Sequence, residues 1–226
     1  MEAKRVAAER AVDFISEGMT VGLGTGSTVY YAIQKLGRRV QAGLNIRAVD
    51  TSVRSEELAH ELGIKLVPFA EIDSIDITID GADEVDPQWN LIKGGGGALL
   101  REKIVAAASK QFIVIVDESK VVNQLGKFPL PVEVIPFGWE LTVRKLTQMG
   151  LNPQMRMDGN NPYITDNGNY IFDCHIGAIP NPAQLHEQIN RVVGVVDNGL
   201  FVGYATKVIV GHQDGSVKEL TAPYKA

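Results

Sequence analysis

The sequence predicts an α/β protein with a largely parallel sheet, followed by a smaller α+β domain. Three observations carry this. Strand-like and helix-like segments alternate through the first 120 or so residues, the pattern of βαβ units. Several strand candidates are continuous apolar runs, such as FIVIV at 112–116, as expected of strands covered on both faces. Beyond residue 128 the order becomes β-α-β-β-α-β, the split βαβ pattern of ferredoxin-like domains.

The elements follow in order. Residues 2–18 place Val6, Ala7, Ala11, Val12 and Ile15 at helical spacing and stop at Gly18. MTVGLG is a strand, GTGST opens a helix VYYAIQKLG, NIRAVD is a strand, and SEELAHELG is a helix closed by Gly63. IKLVPF and DSIDITID read as strands, GADEVDPQWN as a loop, ALLREKIVAAASK as a helix, and QFIVIVDESK as a strand with a polar exit. Pro129, Pro131 and Pro136 exclude a helix interior or a central strand, so FPLPVEVIPF marks the crossover out of the first domain. The second domain then reads strand VEVI, helix WELTVRKLTQMG, strand PQMRM and strand NYIFDC after the turn Asp166-Asn167-Gly168. Helix AQLHEQINRVVG and strand GLFVG complete it. ATKVIVGHQDG returns to the first sheet. The expected division is 1–128 plus 206–226 for the first domain and 129–205 for the second.

Composition narrows the function classes. Hydrophobic residues make up 45% and charged residues 22% of 226, ordinary for a globular protein with a large core. The formal charge of −5, with Lys and Arg scattered, offers no basic stripe for nucleic acid or an anionic membrane. No apolar run approaches the roughly 18 residues of a membrane span. The amphipathic start MEAKRVAAERAVDFI lacks the apolar core of a signal peptide. A single cysteine, Cys174, rules out an internal disulfide framework and fits a reducing compartment. The chain reads as cytoplasmic.

Four stretches can carry chemistry. In GLGTGST (22–28), glycines let a ligand approach the backbone, and helix-start amides with Thr25, Ser27 and Thr28 hydroxyls suit an anion. The loop is neither a dinucleotide fingerprint nor a nucleoside-triphosphate loop, so a phosphate monoester fits it better. A tight turn capped by Ser27 or Thr28 fits equally. DGADEVD (80–86) crowds Asp80, Asp83, Glu84 and Asp86 into seven positions. This reads as a solvated turn, a magnesium site, or carboxylates exchanging protons with substrate oxygens. Lys93 before Gly94–Gly97 reads as a surface lysine or, beside exposed amides, as a stabiliser of a developing oxyanion. Glu102, whose helical neighbours are Ala98, Leu99, Val105 and Ala106, is either a first-turn carboxylate or a partly buried one. In DESK (117–120), Lys120 leaves a strand and is either solvated or reaches a ligand. His60, His175, His186 and His212 lack metal-ligand spacing, so no metal site is assigned. In an open α/β sheet these stretches gather at the carboxyl edge of the strands, where ligands bind. That inventory can move protons on a small phosphorylated, oxygen-rich molecule.

GTGST, DGADEVD, KGGGGALLREK and DESK, in this order and spacing, resemble the type A ribose-5-phosphate isomerases, and the likeness runs the length of the chain. The resemblance implies a Rossmann-like domain with a smaller α/β domain. The implied activity is cofactor-independent interconversion of ribose 5-phosphate and ribulose 5-phosphate in the pentose phosphate pathway, by a homodimer or tetramer. It assigns Glu102 as the proton acceptor between C1 and C2, and Asp80 and Asp83 as acids acting on sugar hydroxyls and ring opening. Lys93 and the backbone of Gly94, Gly95 and Gly96 would face the enediolate. Thr25, Gly26, Ser27, Thr28, Gly81, Ala82, Lys120 and Lys4 would bind substrate. Two other readings stand beside it: a sugar-phosphate sensor module without catalysis, and a coenzyme A transferase-like enzyme using a glutamyl thioester.

Overall fold

The computed structural model describes residues 1–220; residues 221–226, the end of the 206–226 segment expected in the first domain, lie outside the described residues. Contacts divide the chain into two compact units. Among the described residues, the first comprises 1–82, 101–121 and 204–220; the second comprises 83–100 and 122–203. Residues 83–100 and 122–128, expected in the first domain, thus group with the second. The short strands within 83–100 pair there, and 122–128 is held by Val122 N–H on Val85 O, by Ile179 N–H on Leu125 O and by Glu84, contacts that no side-chain pattern announces.

In the first unit α1 (Glu2–Val12) leads to β1 (Thr20–Leu23), α2 (Val29–Gln41), β2 (Arg47–Asp50), α3 (Val53–Glu61) and β3 (Ile75–Gly81). The second unit begins with β4 (Glu84–Val85) and β5 (Leu91–Ile92), and α4 (Leu99–Ala107) precedes β6 (Ser109–Asp117) of the first. The second unit resumes with β7 (Leu130–Val134), α5 (Trp139–Gln148), β8 (Pro153–Met155), β9 (Met157–Asp158), β10 (Asn161–Pro162) and β11 (Tyr170–Cys174). It ends with α6 (Pro182–Asn190), β12 (Val195–Asn198) and β13 (Leu200–Phe201), after which β14 (Lys207–Gly211) and β15 (Val217–Glu219) return to the first.

The first unit is built on one sheet in the order β15-β14-β6-β3-β1-β2. All its pairings are parallel except that of β14 with β15. Its five parallel strands follow the doubly wound order in which the chain turns back between β1 and β3, the switch point where ligands bind in such sheets. The apolar runs of β1, β3 and β6 are buried, as both-face coverage requires. Ala3, Ala7, Ala8, Ala11 and Val12 form the buried stripe of α1, and their small side chains permit close packing. IKLVPF, expected as a strand, forms only an isolated bridge between Leu66 and Ala48, because Pro68 cannot donate to a ladder and a 3₁₀ turn at Phe69–Glu71 follows.

The second unit contains an antiparallel sheet in the order β12-β7-β11-β8, the arrangement a split βαβ pattern produces. Leu130, Val132 and Val134 of β7 are buried with Phe172, Leu146 and Ile189 in its core. The closing strand differs from expectation: Val195–Asn198 pairs with β7, while Leu200–Phe201 crosses to a separate sheet, β13-β5-β4. Gly199 makes the transfer. Its N–H donates to Pro131 O at 2.8 Å and its C=O accepts from the N–H of Lys93 at 2.9 Å. A Cβ there would lie 2.3 Å from Lys93 O, so only glycine lets the strands approach this closely.

Candidate active site

In the first unit, the loop 24–28 stands at the switch point between β1 and the end of β3. The N–H of Gly24 donates to Ile79 O at 3.0 Å, and that of Thr25 donates to Asp80 Oδ1 at 3.1 Å. Asp80 is fully buried and also accepts from its neighbour Gly81 N at 2.8 Å. Two amides on one carboxylate oxygen fix its direction. Gly24 is required here, because a Cβ would fall 2.2 Å from Asp80 Oδ1 and 2.7 Å from its Cα.

The hydroxyl of Thr25 turns inward. It meets Thr51 Oγ1 at 2.7 Å and Ser52 Oγ at 2.8 Å, while Ser55 Oγ donates to Gly24 O at 2.6 Å. These three hydroxyl residues, in TSVRS after β2, were not among the sequence candidates. Ser52 is the side-chain cap of α3, accepting from Ser55 N, so the capping signal was present but not its second use beneath the loop. Gly26 and Ser27 are exposed and Thr28 half-buried. Thr28 starts α2 without a side-chain cap, and Ser27 Oγ accepts from Lys4 Nζ at 2.9 Å. Lys4 of α1 therefore touches this loop. Lys120 lies on a single 3₁₀ turn, Glu118–Lys120, directly after β6.

Asp50, at the carboxyl end of β2, has its carboxyl pushed above the usual range, first by burial and then by Glu56, against the pull of Arg101 and His60. Glu102 is only 4% exposed on α4, and Ala98, Leu99, Val105 and Ala106 around it are buried as well. Glu102 also stands in the first turn of α4, so the first-turn placement and burial are both realised.

In the second unit, the remaining acids of DGADEVD serve different amides. Asp83 Oδ2 accepts from Gly95 N at 2.8 Å. Buried Glu84 accepts from Gly126 N and Phe128 N, both at 2.7 Å. Asp86 closes its own turn through Gln88 N and Asn90 N. Among the described residues, no group of three or more His, Cys, Asp or Glu side chains is arranged to hold a metal ion. Lys93 is 2% exposed, with Nζ 5.4 Å from the centre of the Phe201 ring, a cation–π distance. The surface-lysine reading fails because Gly199 draws Lys93 into the β13-β5-β4 layer. Gly94 has φ +98°, Gly95 is packed so that a Cβ would lie 2.6 Å from Asp83 Oδ1, and the Gly95 amide is spent on Asp83.

Residues 47–215 match the family model of ribose 5-phosphate isomerase A (phosphoriboisomerase A). The ribose-5-phosphate isomerase A of Bacillus mycoides is 52% identical over 220 residues, covering 97% of this chain and 99% of the relative. That of Bacillus anthracis is 52% identical over 221 residues, covering 97% of this chain and all of the relative. This chain belongs to the ribose 5-phosphate isomerase A family.

Solved structures agree with that membership. The ribose 5-phosphate isomerase A of Methanocaldococcus jannaschii superposes with a TM-score of 0.91 at 43% identity, covering 96% of this chain and 97% of that one. The ribose 5-phosphate isomerase of Plasmodium falciparum gives 0.93 at 38% identity, with 98% of each chain covered. A D-ribose-5-phosphate isomerase in complex with phospho-erythronic acid gives 0.92 at 42% identity, with 96% of each chain covered.

Proposed function

We propose that this protein interconverts D-ribose 5-phosphate and D-ribulose 5-phosphate through an enediolate. The observation that carries the reading is the burial of three ionisable side chains at the family's motif positions: Asp80, Lys93 and Glu102 are exposed by 0%, 2% and 4%. Burying charge is unfavourable unless the fold answers it. Here each of these groups also has the chemistry of one step.

Isomerising an aldose requires an open chain, removal of the C2 proton, a held enediolate, and return of the proton to C1. Glu102 is assigned the proton, because one carboxylate can accept from C2 and donate to C1; such a base contributes roughly 10²–10⁴-fold. Asp80 and Asp83 act on sugar hydroxyls and ring opening. Lys93 faces the enediolate oxygens, and one such donor is worth roughly 10²–10³-fold. The loop Thr25–Thr28 with Lys4 binds the phosphate through helix-start amides and exposed hydroxyls. Within that loop, Thr25 supports from below while Gly26, Ser27 and Thr28 present their polar groups. Gly81, Ala82, Gly94, Gly96 and Lys120 complete the proposed contacts. Phospho-erythronic acid, bound by a relative, carries a carboxylate beside a phosphorylated polyol and so imitates the charge of an enediolate. A sensor module would have no use for a buried Glu102.

The reaction proposed needs no metal or organic cofactor, and the enzyme works in the cytoplasm, in the non-oxidative pentose phosphate pathway, as a dimer or tetramer. Among the described residues, no helix is long and apolar enough to cross a membrane, and Cys174 is a buried free thiol whose pKa burial raises to about 12. The test is to incubate the purified protein with ribose 5-phosphate and follow ketose formation, with and without exhaustive chelation. Ketose at equal rates in both supports the reading; no ketose, or dependence on added magnesium, overturns it.

A further inference from the structure

The peptide joining Gly94 to Gly95 is held between opposite charges. Its N–H donates to Asp83 Oδ2 at 2.8 Å, and its C=O accepts from Arg156 Nη1 at 2.9 Å. The same Nη1 approaches Gly95 O at 3.3 Å. Arg156 is itself fixed. Its Nε and Nη2 form a bidentate pair with Asp173, at 2.9 and 2.5 Å, and both side chains are largely buried. The Tyr163 ring lies 5.8 Å from the guanidinium carbon. The Arg156 backbone is pinned as well, its N–H donating to Ile171 O and its C=O accepting from Tyr163 N.

This arrangement exceeds what a cross-strand ion pair needs. Pairing with Asp173 occupies Nε and Nη2, and the third arm of the fork is directed at the glycine run. Lysine lacks that fork and could not serve both partners. A cation on the carbonyl also polarises the amide, strengthening the N–H that holds the Asp83 carboxylate.

We infer that Arg156 is a positioning residue of the isomerase: by gripping the Gly94 and Gly95 carbonyls, it sets the peptide whose N–H aims Asp83. The inference rests on the role proposed above for Asp83. It also gives a glycine run of wide backbone freedom a fixed course. The run is clamped from one side by Asp83 and from the other by Arg156.

The experiment compares the full-length wild-type protein with R156A, R156K and D83N. It measures kcat and KM for ribose 5-phosphate, the thermal midpoint, and hydrogen exchange of the 93–98 segment by mass spectrometry. R156A and R156K are expected to lose roughly 10–100-fold in kcat, the scale of a misplaced catalytic group, with KM changed only a few-fold. Gly95 exchange is expected to quicken about tenfold or more in both variants. Millimolar guanidinium ion is expected to recover part of kcat in R156A and none in D83N. Should R156A fail to fold, R156K alone decides. Wild-type kcat in R156K, unchanged Gly95 protection, or a kcat loss that merely tracks the unfolded fraction and resists guanidinium each overturns the inference. A wild-type protein inactive on ribose 5-phosphate would instead overturn the isomerase reading, and the exchange measurement would still judge the clamp.

Discussion

The N–H of Thr25 donates to the buried carboxylate of Asp80 at 3.1 Å, tying the loop after β1 to the acid one residue before the end of β3. The two residues are 55 positions apart in sequence and meet because β1 and β3 are adjacent parallel strands. Gly24 makes the approach possible, and G24A tests it. The new methyl would meet Asp80 Cα at 2.7 Å, where backbone cannot move aside easily. A loss of about 1–3 kcal/mol is expected for such overpacking. Thermal unfolding should show the midpoint lowered by roughly 3–10 °C. An unchanged midpoint would contradict the close packing.

Glu102→Gln is nearly isosteric and removes only the ability to take a proton. The variant is expected to keep the parent's thermal midpoint and KM within a few-fold. Its kcat should fall by about 10²–10⁴-fold. Steady-state kinetics on ribose 5-phosphate check this, and near-normal turnover would remove Glu102 from its assigned role.

Lys4 Nζ donates to Ser27 Oγ at 2.9 Å, on the loop assigned to the phosphate. K4M is expected to raise KM about tenfold, equivalent to roughly 1.4 kcal/mol, with a smaller change in kcat. S27A should act in the same direction, and the double variant should fall short of the product of the two because the residues touch. Inorganic phosphate should compete less well against K4M than against the parent. Independent, multiplicative effects would show that Lys4 and Ser27 do not work as one unit.

The Asp50 carboxyl is raised by burial, with Glu56 adding to the effect. Such a group binds its proton more tightly in the folded than in the unfolded protein, so its ionisation above about pH 4 works against folding. D50N is therefore expected to melt higher than the parent at pH 7, by roughly 1–4 °C. The advantage should shrink as pH falls toward 4, where the parent's carboxyl regains its proton. A pH series of thermal melts reads this directly, and a D50N midpoint below the parent's at pH 7 would reverse the assigned sign.

Much of the fold was legible because its signals are short-range. Apolar runs such as FIVIV announce covered strands, and the Ala-rich stripe of 2–12 announces a packed helix. The prolines did not bear out their reading: Pro131 lies within β7, an interior strand paired with both β11 and β12, and the second unit has already resumed at residue 122. The missing N–H of Pro131 is tolerated because its C=O still accepts, from Gly199 N. The motifs GTGST, DGADEVD and KGGGG were likewise readable, since turn geometry and helix starts depend on adjacent residues. For Glu102, spacing alone left a first-turn carboxylate and a partly buried one side by side.

What the sequence by itself determined was the kind of layer, the order of elements and the places where chemistry could gather. Only the tertiary structure decided which groups each motif residue answers. Leu200–Phe201 left the expected sheet because Gly199 bonds to both Pro131 and Lys93, and that transfer buried a lysine that reads as exposed. The four acids of DGADEVD look alike in sequence, yet Asp80 and Asp83 serve the assigned loops while Glu84 and Asp86 serve turns. Arg156 carries no motif, and its meeting with Gly94 spans 62 positions. The physical reason is common to all of these. Secondary structure is chosen by local torsions and periodic burial, whereas a hydrogen bond's partner is chosen by strand pairing between segments that the sequence keeps far apart.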